Sequence, residues 1–332
     1  MKNVEESKIE QLYTWLDEAA EKMGEELDLS YLELLPLAGR ILFDQEIPEE
    51  YSETIRNYLS DKLTSISLED YKREEVRKGI QLAILKGMKG STQQQHMITP
   101  DSVAIFMGYI LEKVMDTKKT IRIFDPVAGT GNLLTAVVNQ IDKDVEAYGS
   151  DVDQTLLQLA LMNANLQHTE IEFFHQDSLR SFLLEPVDYV IADLPVGYYP
   201  DDVQASEFEL KAESGHSYSH HLLMEQSLNY MNEGGYGLFL IPNFLFEGDQ
   251  SAQLHAFLQK HVHVVGVLQL PDSMFKNEQF GKSIFIVQKK GESTEAPKEA
   301  LIAKLPSFSN PNSMNEMVEK INNWFLEYTS SK

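Results

Sequence analysis

A chain of 332 residues without a cysteine excludes disulfides and thiolate metal sites, while 42% hydrophobic content is enough for a sizeable core. The formal net charge of −24 argues against an autonomous binder of duplex nucleic acid, which ordinarily turns a basic face to the phosphates. No apolar run reaches membrane-spanning length and the first residues, MKNVEESKIEQ, are polar and acidic, so a cytoplasmic protein with no membrane partner is expected.

Residues 1–90 read as a helical domain. Leu12, Leu16, Ala19, Ala20 and Met23 recur at helical spacing with acids between them, and residues 51–63 and 71–88 form further amphipathic helices. Pro36 and Pro48 are read as interruptions. The basic residues Lys72, Arg73, Arg77 and Lys78 read as a solvated face. No catalytic constellation is visible here, and a docking or scaffolding role is the expectation.

Residues 91–332 read as a second domain. A polar loop at 90–96 precedes Met97-Ile98-Thr99-Pro100-Asp101. Thr99 suits an N-cap, Pro100 the first helical position and Asp101 the first turn, which predicts a helix running to about Met115.

The stretch that organises the chain is IRIFDPVAGTGNLL, residues 121–134. It starts as a strand, breaks at Asp125-Pro126, turns on Gly129 and Gly131, and continues into an apolar helical run. Such a turn sets free N–H groups at a helix N-terminus beneath a ligand. The dinucleotide fingerprint requires a third glycine where Leu134 stands, and the P-loop requires Gly-Lys-Ser/Thr where Gly131-Asn132-Leu133 stands. Asp125 would repel phosphates but pair with an amino-acid ammonium, which makes S-adenosylmethionine (SAM) the candidate ligand.

Further strand-end acids follow at regular spacing. Residues 145–150 form a second strand ending at Asp151, about twenty residues beyond the glycines, where nucleoside-binding sheets set a carboxylate on the ribose. Asp153 could share that role. A helix at 155–165 and a strand at 171–175 lead to Asp177, placed to accept from the adenine amine. Each acid alone would be a helix cap; three in register point to a ligand. A fourth strand, 187–192, ends in Asp193-Leu194-Pro195-Val196-Gly197-Tyr198-Tyr199. Residues 236–241, 262–270 and 283–287 give later strands, and 314–328 a closing helix.

By these motifs (the Thr-Pro turn, DPVAGTGN, GSDVD, Gln-Asp, Asp-x-Pro, then LNYMNEGGYGLFLIP, NFLFEG and LQLP…MF) the chain from Met97 to Lys290 resembles the N6-adenine DNA methyltransferases. The likeness is to the modification subunits of type I restriction systems and their stand-alone relatives. It implies an α/β, doubly wound, Rossmann-like seven-stranded SAM-methyltransferase sheet with one antiparallel edge strand, preceded by a helical domain. It also implies that Asp125, Ala128, Gly129, Thr130, Gly131, Asn132, Asp151 and Asp177 bind SAM, with Thr99 and Pro100 closing over it.

An exocyclic amine is a weak nucleophile because its lone pair is delocalised, so a site that methylates it needs two convergent acceptors for its N–H groups. Asp193 and the Leu194 carbonyl, stiffened by Pro195, fit that need as the catalytic set. The family pattern places an aromatic next, to stack on an extruded base; here Val196 stands there, leaving Tyr198 and Tyr199 as candidate substrate contacts. His216, His220 and His221 lack metal-site spacing and read instead as helix-terminal or loop residues near the substrate, and no metal is expected. The expected activity is methyl transfer from SAM to N6 of adenine in DNA, with DNA reached through a partner specificity subunit, given the acidic charge. A protein amide or small amine as acceptor, or a degenerate SAM-binding interaction protein, are the alternatives.

Overall fold

The computed structural model describes residues 7–89, 98–116 and 118–330. The expected polar loop at 90–96, Met97 and the expected domain boundary near residue 90 lie outside the described residues.

Four helices open the chain: α1 (Lys8–Gly24), α2 (Tyr31–Asp44), α3 (Glu53–Leu63) and α4 (Arg73–Met88). A reciprocal capping box starts α1, in which Ser7 Oγ accepts from the Glu10 N–H and the Glu10 carboxylate accepts from the Ser7 N–H. The predicted stripe of Leu12, Leu16, Ala19, Ala20 and Met23 is buried, joined by Trp15. Pro36 does not interrupt; it lies inside α2. The other side chains of α2 (Leu34, Leu35, Ala38, Ile41, Leu42) bury an apolar face large enough to outweigh one lost backbone hydrogen bond. Gly39 lets α2 approach α7 (Gln154–Leu166): a Cβ there would lie 2.4 Å from Met162. Leu159, Met162 and Leu166 of α7 complete the helical core, so these helices are packed onto the sheet domain's own layer.

The remainder is a doubly wound sheet. The strands are β1 (Thr120–Asp125), β2 (Asp144–Asp151), β3 (Ile171–His175), β4 (Val187–Asp193), β5 (Met231–Pro242), β6 (Val262–Gln269), β7 (Lys282–Lys289) and β8 (Leu301–Lys304). Helices α5 (Asp101–Val114), α6 (Asn132–Val138), α8 (Asp202–Ala205), α9 (Ser219–Tyr230), α10 (Ser251–His261) and α11 (Pro311–Ser330) complete the α-helices among the described residues. The order β3-β2-β1-β4-β5-β7-β6-β8 reverses direction between β1 and β4, so β1 and β4 end at a topological switch point where such sheets bind ligands. Core strands are buried on both faces, as β4 is from Val187 to Ala192, because helices cover both sides of the sheet.

Two details depart from expectation. The sheet has eight strands rather than seven, because the short run Leu301–Lys304 pairs in parallel with β6. The antiparallel strand is not at the edge: β7 lies between β5 and β6, antiparallel to both. Its side chains are buried from Ser283 to Gln288, which suits an interior strand.

Candidate active site

The glycine loop closes between β1 and α6. Gly129 and Gly131 adopt φ of 53° and 71°, a left-handed conformation that glycine enters without strain. At Gly131 a Cβ would also meet that of Ala160 at 3.1 Å. Ala128 donates its N–H to the Ser150 carbonyl at 2.9 Å, which ties the loop to β2, and Gly131 N–H returns to the Ala128 carbonyl at 2.8 Å. Thr130 is buried, and its carbonyl accepts from Asn163.

The strand-end acids converge on this loop. Asp151 Oδ2 accepts from the Gly129 N–H at 2.8 Å, and Oδ1 from the Asp153 N–H at 2.9 Å. Asp153 itself caps α7, accepting from Leu156 N–H, which separates the two acids that the sequence left as alternatives. Asp125 is 1% exposed and accepts from the Val127 N–H at 3.0 Å. Burial pushes its carboxyl up to about 8, against that hydrogen bond, and the nearby charges of Asp151 and Asp193 push it the same way. An acid kept protonated chiefly by its burial, and next by two neighbouring carboxylates, is a place where a cationic ligand gains most. SAM, with an ammonium and a sulfonium, fits that electrostatic deficit.

Asp193 ends β4, and its two oxygens are both engaged. Thr99 Oγ1 donates to Oδ2 at 3.0 Å, and the Lys282 ammonium donates to Oδ1. Thr99 therefore does not cap α5, whose N-cap is Pro100. The Leu194 N–H donates to the Leu240 carbonyl at 3.2 Å, which extends the β4–β5 ladder one residue past Asp193 and fixes the following peptide. Pro195 stiffens the exit. Val196 is 48% exposed. Of the two tyrosines expected at the substrate, Tyr198 is exposed and stacks on Tyr218 with centroids 4.9 Å apart. Tyr199 is not at the rim: it is buried, and its hydroxyl donates to Asp177 Oδ2 at 2.5 Å. Asp177 Oδ1 accepts from the Leu179 N–H.

Two contributors, Arg77 and Lys282, escape sequence reading. Arg77 of α4 is fully buried rather than solvated and donates to Asn132 Oδ1 at 2.8 Å, while Asn132 Nδ2 donates to the Thr99 carbonyl at 2.9 Å. Lys282 reaches Asp193 from β7. His220 is buried in the first turn of α9, and its imidazole is pushed down to about 3, chiefly by burial and then by neighbouring His221. Only spatial pairing reveals these roles. Among the described residues no group of three or more His, Cys, Asp or Glu side chains could hold a metal, and no helix is long and apolar enough to cross a membrane.

A doubly wound sheet with a glycine loop and acids at successive strand ends defines a SAM-dependent methyltransferase. Residues 87–329 match the family described as N-6 DNA Methylase, and residues 10–88 match the YtxK N-terminal helical domain. Over 320 residues the chain is 44% identical to the uncharacterized protein YtxK of Bacillus subtilis (strain 168), covering 95% of this chain and 96% of that protein. A crystal structure of a putative class I S-adenosylmethionine-dependent methyltransferase (lmo1582) from Listeria monocytogenes superposes with a TM-score of 0.89 at 43% identity, covering 96% and 99% of the two chains. A modification subunit of a putative type I restriction enzyme from Vibrio vulnificus YJ016 shares the fold, with a TM-score of 0.63 at 16% identity over 88% of this chain and 65% of that one. The chain belongs to the N-6 DNA methylase family, SAM-dependent methyltransferases acting on the N6 amine of adenine in DNA.

Proposed function

We propose that the cleft between the glycine loop and Asp193 holds SAM against an adenine amine, and that the residues at the ends of β1, β2 and β4 divide the work. The observation that carries this reading is the convergence of Asp125, Asp151 and Asp193 on one loop, with Asp125 raised to about 8. Asp125 would face the amino-acid ammonium, Asp151 the ribose hydroxyls and Asp177 the adenine, while Ala128, Gly129, Thr130, Gly131 and Asn132 form the floor. Thr99 and Pro100 would close the other side. Bound SAM supplies an electrophilic methyl group on a sulfonium.

The chain's residues act on the acceptor. Asp193 and the Leu194 carbonyl would accept the two N–H hydrogens, which localises the lone pair and aims the nitrogen. Pro195 stiffens that peptide, and the Leu194 N–H bond to the Leu240 carbonyl anchors it. The base-stacking surface is not at position 196; exposed aromatics of the surrounding loops, Tyr198, Phe244 and Phe280, are the available π-faces. The exposed Val196 also favours a second reading, in which the same acceptor pair takes the planar amide of a protein side chain.

A net charge of −24 supports delivery of DNA by a second polypeptide that supplies the phosphate contacts. We also read residues 1–90 as one domain and 91–332 as the other, with the first serving as a scaffold for the glycine loop.

Calorimetric titration of SAM tests the cofactor half and labelled-methyl transfer the acceptor half. Asp151→Ala should lose SAM binding, whereas Asp193→Ala should bind SAM as the parent does and transfer no methyl. Equal SAM affinity in the parent and Asp151→Ala would remove the reading.

A further inference from the structure

Lys282 is placed at the acceptor by the one reversed strand of the sheet. Because β7 runs antiparallel to β5, its first residue, opposite Pro242, lies at the same edge where β4 delivers Asp193. A parallel strand would have presented its last residue there instead. The ammonium donates to Asp193 Oδ1 with Lys282 30% and Asp193 19% exposed, and Thr99 occupies Oδ2. The flanking backbone is fixed: Asn243 N–H donates to the Gly281 carbonyl at 2.9 Å, and Ser283 Oγ donates to Asn243 Oδ1 at 2.7 Å. Beside this post lies an open surface depression lined by Asn243, Phe244, Glu247, Gln279 and Phe280, where a strand can approach Lys282.

This arrangement poses a chemical problem for a neutral acceptor. An amine N–H is a weaker donor to a carboxylate than an ammonium in a charge-assisted bond. An incoming amine therefore gains little at Asp193 Oδ1 while Lys282 remains, and displacing Lys282 into an acid-rich cleft without a new anion loses the ion pair. A substrate that brings its own anion removes the conflict. We propose that Lys282 is a specificity-determining residue. As the target nucleotide seats, the ammonium passes from Asp193 to a backbone phosphate and frees Oδ1 for the target amine. The site then favours an amine carried on a phosphodiester strand over the same amine without the charge. This rests on Asp193 being the amine acceptor.

The test compares methyl transfer from labelled SAM to the trideoxynucleotide TpApT and to its methylphosphonate analogue, which keeps the shape and removes the charge. The parent protein should prefer the phosphodiester by about tenfold in kcat/KM, the factor worth roughly 1.4 kcal/mol. Lys282→Met should lose that preference and methylate the neutral analogue faster than the parent does, and Lys282→Arg should retain the preference. Equal rates of the parent on the two oligonucleotides overturn the proposal without any variant. So does an equal loss on both in Lys282→Met, which would mark a purely structural lysine. Transfer that persists in Asp193→Ala, or none by the SAM-bound parent to either oligonucleotide with and without a cell extract to supply the partner, instead overturns the acceptor assignment on which the proposal stands.

Discussion

Arg77 Nη1, on the fourth helix of the N-terminal segment, donates to Asn132 Oδ1 at 2.8 Å in the glycine loop. The same guanidinium pairs with Glu74 and Asp101, and Asn132 passes the contact on to the Thr99 carbonyl, whose side chain meets Asp193. A helical segment with no catalytic residue of its own thus sets the loop and the acceptor in one hydrogen-bonded chain. Arg77→Ala should destabilise the protein by about 3 kcal/mol, because it leaves partly buried carboxylates and an amide without their donor. Denaturant unfolding measures this, and SAM affinity should fall with it. An unchanged midpoint would mean the network is dispensable.

Asp125 makes stability and function oppose each other. Burial pushes its carboxyl up to about 8 in the folded protein, from an ordinary 3.8 in the unfolded chain. Between those values the native state holds a proton that the unfolded chain has released, so stability falls as pH rises through that window and levels off above it. Asp125→Asn should therefore raise the melting temperature, more at pH 8 than at pH 4, while weakening SAM binding about tenfold or more. Parallel melting curves for the two proteins across that range would contradict the assignment. In the parent, SAM affinity should rise from pH 6 to pH 8, since a cation favours the ionised carboxylate.

His221 works in the opposite sense. Burial pushes its imidazole down to about 4, and its Nδ1 finds no hydrogen-bond partner among the described residues. The unfolded chain takes up a proton near the ordinary value of 6.5, the folded one only near 4, so stability is lost as pH falls between them. His221→Phe should flatten the acid limb of the stability curve, adding about 2 kcal/mol at pH 5. An acid limb identical to the parent's would place that titration elsewhere.

Gly131 is held at φ 71° with Ala160 packed against it. Gly131→Ala should cost upwards of about 1 kcal/mol through torsional strain and crowding, and shift the loop away from SAM. Unchanged melting and SAM titrations would show that the loop adapts.

What was readable from sequence was local. DPVAGTGN, the acids at 151, 177 and 193, and most strand bounds follow from short-range patterns of apolar residues and turns, and the structure places them at one sheet edge. What was unreadable depends on pairing over long separations. Arg77 resembles any solvated arginine until α4 packs on the loop, and Lys282 resembles a strand-end lysine until β7 reverses beside β5. Thr99 has a cap's residue type in a cap's position, yet its hydroxyl is taken by Asp193 94 residues away. Tyr198 and Tyr199 are adjacent and chemically alike, and the alternation of an extended segment exposes one and buries the other.

The most direct measurement is mass spectrometry of nucleosides from unmethylated DNA incubated with the protein and SAM, alone and with a cell extract to supply partners. N6-Methyldeoxyadenosine is expected with the parent protein and none with Asp193→Ala. A parent that binds SAM yet forms no N6-methyldeoxyadenosine under either condition would contradict that expectation, as would an Asp193→Ala protein that forms as much.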